Sequence, residues 1–150
     1  MELDSLLYYG FVVDPDSNTV LGREPWFIKF FAPWCPHCQH MQPAWETLHV
    51  DHMWDINVAS VDCTTEYGKE LCSLFGIRGY PTLMYLPAKS NKYHEYSGDR
   101  SLKSLSKFAL EWGWDLTEER ELPISKTMME RMGTKITDGT VEDLMGSFLQ

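Results

Sequence analysis

Cys35 and Cys38 enclose Pro36 and His37, and this short stretch holds the densest chemistry in the chain. A pair of cysteines at this spacing supports three chemistries: a reversible dithiol–disulfide couple, half of a tetrahedral zinc site, or a structural staple. Zinc needs two further ligands, from Cys63, Cys72 or a histidine, and no second closely spaced cysteine pair supplies them. For the redox reading the two thiols are not equivalent. Cys35 falls at or near the cap of a helix, where free backbone N–H groups and the helix dipole favour a thiolate. Pro36 sits near the first helical position, where its missing N–H costs nothing and its fixed φ suits the helix. His37 adds a donor and, when protonated, a positive charge. Cys38, one turn further in, is expected to be more buried. Cys35 is then the attacking thiol and Cys38 the resolving one. Stabilising the Cys35 thiolate stabilises the reduced form and makes the disulfide a stronger oxidant.

Several elements must hold this pair in place. Residues 26–32, "WFIKFFA", read as a buried strand ending at Pro33. Residues 36–53 repeat apolar positions at 3.6-residue spacing (Met41, Ala44, Trp45, Leu48, with His52) and predict an amphipathic helix, with a kink expected at Pro43. Residues 56–63 read as a second strand, 66–75 as a short helix ended by Gly76, and 82–86 as a third strand. The turn "PAKSNK" and the run "YHEYS" make a hairpin with that third strand. Residues 101–112 predict a helix capped by Ser101, with Leu102, Leu105, Phe108 and Ala109 inward. This order describes an α/β fold with a parallel core and an antiparallel hairpin at one edge. Residues 8–14, "YYGFVVD", read as a further strand followed by a turn at "DPDSN". Residues 115–150 read as a polar extension broken by Pro123, with short helices that Thr127 and Thr140 would cap.

The totals limit the alternatives. A chain of 150 residues with 43% hydrophobic and 13% aromatic content builds one cored domain, or a slightly smaller one with an appendage, and does not read as disordered. A net charge of −9 argues against nucleic acid and anionic membrane surfaces as partners. No run of 18 apolar residues is present, so direct membrane insertion is not expected. Residues 1–10 lack a signal-peptide pattern and "GSFLQ" is not a retention signal of the K-D-E-L type. The expectation is an excised piece of a longer protein.

The run "WFIKFFAPWCPHC", then "VDCT", "GIRGYPT" and "YSGDR", resembles a catalytic thioredoxin-fold domain of the protein disulfide isomerase family, over roughly residues 20–112. The resemblance implies a thioredoxin-like domain over residues 1–114, followed by the extension. It implies a mixed sheet flanked by helices, a cis bond before Pro81 facing the cysteines, and a substrate groove at Trp34, Tyr80 and Pro81. There the Tyr80 backbone would pair with an extended substrate. Arg78 matches an arginine of the family thought to swing toward the resolving cysteine; alternatively it is a solvated loop residue. A pair such as Cys63 and Cys72 is common in this region of the family. An oxidising compartment favours a disulfide over two buried thiols.

The sequence departs from the family between the cysteines and beneath them. Pro36-His37 replaces the usual Gly-His and resembles the strongly oxidising bacterial periplasmic enzymes of the Dsb type, which implies oxidase over reductase. Lys29 stands where the family places a buried acid, and Ser60 where that acid's lysine partner stands. A lysine there is charged beside the Cys38 thiolate, neutral and a proton acceptor, or snorkelling to solvent. The expected activity is thiol–disulfide oxidation and isomerisation of folding secretory proteins in the endoplasmic reticulum, with no cofactor and no metal. The alternatives are a non-catalytic substrate-binding module, a scaffold subunit docking through residues 115–150, or a zinc domain.

Overall fold

The computed structural model describes residues 1–137, with side chains described through Met132. The chain runs β1 (Glu2–Leu3), α1 (Ser5–Leu7), β2 (Trp26–Phe31), α2 (Pro36–Asp51), β3 (Asn57–Asp62) and α3 (Glu66–Leu74). It continues with β4 (Thr82–Leu86), β5 (Lys92–Tyr96), α4 (Leu102–Leu110), β6 (Arg120–Glu121) and α5 (Lys126–Thr137). Among the described residues the strands form one six-stranded sheet in the order β1-β3-β2-β4-β5-β6. β1, β3 and β2 are mutually parallel, whereas β4 runs antiparallel to β2 and β5 antiparallel to β4. This mixed sheet flanked by helices is a thioredoxin fold.

β2 is central, and both of its faces are covered, which is why it reads as an almost unbroken apolar run. Phe27 faces α2 and α4 and packs with Met41, Trp45, Leu48, Leu105 and Phe108. Ile28 and Phe30 face the other way, into a cluster with Tyr8, Val12, Leu71 and Phe75. The C-terminal end of β2 therefore delivers the chain, through Pro33 and Trp34, to the start of α2 between two packed layers.

α2 begins as the sequence demands. Cys35 is its N-cap, in extended backbone at φ −78° and ψ 119°, and Pro36 occupies the first turn. Its buried face is Cys38, Met41, Trp45 and Leu48, and Pro43 lies within it on the exposed side. At α3 the Thr65 hydroxyl accepts from the Gly68 N–H at 3.0 Å. A Cβ on Gly68 would stand 1.8 Å from the Asp62 carbonyl oxygen, so only glycine lets α3 approach the end of β3 this closely. Ser101 caps α4, its Oγ accepting from the Ser104 N–H at 3.2 Å.

Three segments differ from their sequence reading. Residues 8–12 are a kinked helical turn rather than a strand: Gly10 adopts φ 90°, which reverses the chain. Tyr8 and Val12 are fully buried by that turn. Residues 120–121 join the sheet as β6 beside β5, and Leu122 and Met128 enter the core cluster of the β2 layer. Within α5 the cap is Ser125, whose Oγ accepts from the Met128 N–H, and not Thr127, which lies inside the helix. The expected helix capped by Thr140 lies outside the described residues.

Candidate active site

The end of β2, the first turn of α2 and the loop entering β4 converge on the two thiols. Cys35 and Cys38 are both unbonded and almost inaccessible, at 5% and 3% exposure. They pack with Ala32, Phe31 and Tyr80. The Tyr80–Pro81 peptide is cis, and the Tyr80 carbonyl accepts the Cys35 Sγ–H at 3.6 Å. Trp34 is 68% exposed and meets the Tyr80 ring edge-on at 5.8 Å. An aromatic platform and a backbone carbonyl thus border the sulfur that reaches the surface first.

The two thiols differ in acidity, and each difference has a local cause. Burial opposes ionisation of Cys35. The Sγ–H and backbone N–H of Cys38, the backbone N–H of His37 and the charge of Arg100 outweigh it and hold Cys35 below the ordinary thiol range. Burial, reinforced by the hydrogen bond to Cys35 and by its negative charge, pushes Cys38 up to about 11, with Ala32 and Lys29 acting in the opposite direction. The two sulfurs therefore differ in how readily each ionises, Cys35 more readily than Cys38.

Residues 15–111 match the Thioredoxin family. The chain belongs to the thioredoxin family. This thioredoxin domain is 46% identical over 85 residues to a protein disulfide-isomerase-like protein of Emiliania huxleyi, covering 55% of this chain and 38% of that one. It is 45% identical over 97 residues to human protein disulfide-isomerase A2, covering 62% of this chain and 18% of that one. Among solved structures it is similar to the J-Trx1 fragment of ERdj5, at 26% identity and a TM-score of 0.61, covering 75% of this chain and 49% of that one. The chain spans 41% or less of the lengths of the first curated relatives it matches.

The thioredoxin domain brings some predicted residues to the dithiol and leaves others away from it. Trp34, Cys35, Pro36, Cys38, Tyr80 and Pro81 stand together. His37 is exposed and contributes its backbone N–H to Cys35, while the positive charge acting on that sulfur is Arg100's. Arg100 escaped the sequence reading, although it lies in the quoted "YSGDR", at the turn before α4. Together with His37, His40 and Asp99 it lines a hollow beside the start of α2. Arg78 points into a different hollow, bounded by Phe75, Thr82, Glu95 and Arg120. Cys63 and Cys72 are joined in a disulfide with Cα atoms 5.8 Å apart, and so cannot join Cys35 and Cys38 around a metal.

Lys29 does not snorkel. It is 1% exposed and its Nζ donates to Gln42 Oε1. The ammonium lies 4.9 Å from the centroid of the Phe31 ring and 5.9 Å from that of Trp45. Burial lowers its pKa, while Cys38 and Glu46 favour the charged form.

Proposed function

We propose that this domain is a thiol–disulfide oxidoreductase of the endoplasmic reticulum lumen that oxidises and isomerises disulfides in folding secretory proteins. The observation that carries the proposal is the asymmetry of the two thiols: Cys35 at the cap of α2 against the Tyr80 carbonyl, and Cys38 buried behind it with the higher pKa. The family, and relatives named as protein disulfide isomerases, support the same chemistry, and the Cys63–Cys72 disulfide suits an oxidising compartment. No helix among the described residues is long and apolar enough to cross a membrane.

In the oxidising direction a substrate thiolate attacks Cys35 Sγ of the Cys35–Cys38 disulfide. The S–S bond breaks, its electron pair goes to Cys38, and a mixed disulfide forms at Cys35. A second substrate thiolate attacks the substrate sulfur of that mixed disulfide, and Cys35 leaves as a thiolate. The substrate loses two electrons and the domain gains them. In isomerisation the Cys35 thiolate attacks a substrate disulfide, and Cys38 releases the substrate if rearrangement stalls. Trp34, Tyr80 and Pro81 form the rim on which an extended substrate segment lies. Pro36 fixes the first turn of α2 and with it the position of Cys35.

Insulin reduction and refolding of a scrambled, disulfide-bonded substrate test this reading. Turnover in both that is lost in Cys35→Ser is expected; a purified, folded chain inactive in both would overturn it.

A further inference from the structure

Lys29 is a buried cation that packing alone does not explain. It sits on the β2 face that carries Phe27 and Phe31, beneath α2, and its Nζ donates to Gln42 Oε1. Gln42 follows Cys38 by four residues, so the side chain that holds the ammonium leaves α2 one helical turn, roughly 5.4 Å along the axis, beyond the second thiol and on the same side of the helix. Phe31, whose ring the ammonium approaches, belongs to the cluster around Cys35 and Cys38. Gln42 is oriented in its turn. Its Nε2 donates to Glu46 Oε1 at 2.9 Å, which leaves only the carbonyl oxygen to face Lys29. Glu46 is exposed, so the chain of side chains Lys29–Gln42–Glu46 runs from beneath the dithiol to solvent.

The charged or titratable groups facing Lys29 are few. Cys38 and Glu46 both come from α2 and both favour its ammonium. Its strand partners, Ser60 on β3 and Leu83 on β4, carry no charge. Burial presses the other way and makes the neutral amine accessible. A buried amine and a buried thiol that act on each other's charge have two arrangements of one proton, thiol with amine or thiolate with ammonium.

We propose that Lys29, oriented by Gln42 and Glu46, takes the proton from Cys38 Sγ as Cys38 attacks the mixed disulfide, and returns it when Cys38 is displaced by substrate. In resolution the Cys38 thiol loses its proton to the amine. The resulting thiolate attacks Cys35 Sγ, the Cys35–substrate bond breaks, and the electron pair leaves on the substrate thiolate. In oxidation the substrate thiolate opens the Cys35–Cys38 bond, and the Cys38 thiolate receives its proton from the Lys29 ammonium. Gln42 and Glu46 are positioning residues in this scheme. The proposal rests on the dithiol chemistry above, with Cys38 as the resolving thiol.

Stopped-flow reaction of the reduced chain with 5,5′-dithiobis(2-nitrobenzoate) separates the two thiols. The first chromophore release scales with reagent concentration and reports attack by Cys35; the second is intramolecular and reports Cys38. Lys29→Met is expected to leave the first phase unchanged. It slows the second by about tenfold at neutral pH, the thiolate fraction lost per unit of pKa, and moves its pH profile to the alkaline side. Lys29→Gln, which keeps a polar side chain but no base, behaves as Lys29→Met. Glu46→Gln, a surface change that also guards against a misfolded Lys29 variant, slows the second phase by a smaller factor, about threefold. A second phase with wild-type rate and pH profile in a folded Lys29 variant, or in Glu46→Gln, overturns the proposal. Absence of any second phase in the wild-type chain would instead overturn the dithiol reading beneath it.

Discussion

At the first turn of α2 burial opposes ionisation of Cys35, and the Cys38 thiol, the backbone N–H groups of Cys38 and His37 and the charge of Arg100 together outweigh it. The sign of the resulting pH dependence follows. Between its depressed pKa and the ordinary thiol range, Cys35 is ionised where a free cysteine is not, and it alkylates faster; below its own pKa that advantage is lost. Because the charge comes from Arg100 and His37 gives a backbone group, Arg100→Gln should raise the midpoint of iodoacetamide reactivity more than His37→Ala does. A larger shift from His37→Ala would return the imidazole to the centre of the account. The cap position of Cys35 and the depth of Cys38 were legible in four consecutive residues because both follow directly from helix geometry. Arg100 was not legible. Nothing in a turn sequence says which way a guanidinium reaches, and only the folding of α4 against α2 sets Arg100 in the hollow beside His37. Lys29 lay between these cases. Its neighbours in "WFIKFFA" announced an apolar strand, but whether the amine reached water depended on Gln42, thirteen residues away.

At the scale of elements, the strands and helices with enough length to show a period were readable: β2, α2, α3 and α4 all carry their apolar faces in the sequence. The two-residue strands β1 and β6 were not, since two residues have no period. Residues 8–12 misled because a turn that buries Tyr8, Tyr9 and Val12 gives the same run of apolar letters as a strand. The α3 element has its own staple. The Cys63–Cys72 bond closes a short loop, with a sequence separation of 9, between the end of β3 and α3. In the chain-entropy account such a loop contributes about 2.5–3 kcal/mol. Replacing both cysteines with serine should lower the urea midpoint accordingly and leave insulin turnover running. Loss of turnover in a folded double variant would make the pair part of the redox path.

For the molecule as a whole, the described residues from β6 to Met132 are built into the domain. β6 pairs with β5, Leu122 is 3% exposed, and Arg131 on α5 holds Glu70 on α3 with two hydrogen bonds of 2.7 and 2.8 Å. Ser125 N–H donates to the Tyr9 hydroxyl, which ties the extension to the N-terminal segment. Leu122→Ala should therefore cost about 2–5 kcal/mol in denaturant unfolding, as for a buried leucine elsewhere. Arg131→Ala, which breaks a partly exposed ion pair, should cost less than Leu122→Ala does. Equal, negligible effects from both would show that the extension only rests on the surface. The proposed mechanism depends on one division of labour, attack by Cys35 and resolution by Cys38. Trapping tests it most directly. Cys38→Ala, incubated with a disulfide-bonded unfolded protein, should accumulate a mixed disulfide at Cys35, seen by non-reducing electrophoresis and mass mapping and released by dithiothreitol. Cys35→Ala should accumulate none. An adduct carried by Cys38 in Cys35→Ala at a comparable rate, or no adduct in Cys38→Ala, would contradict the assignment.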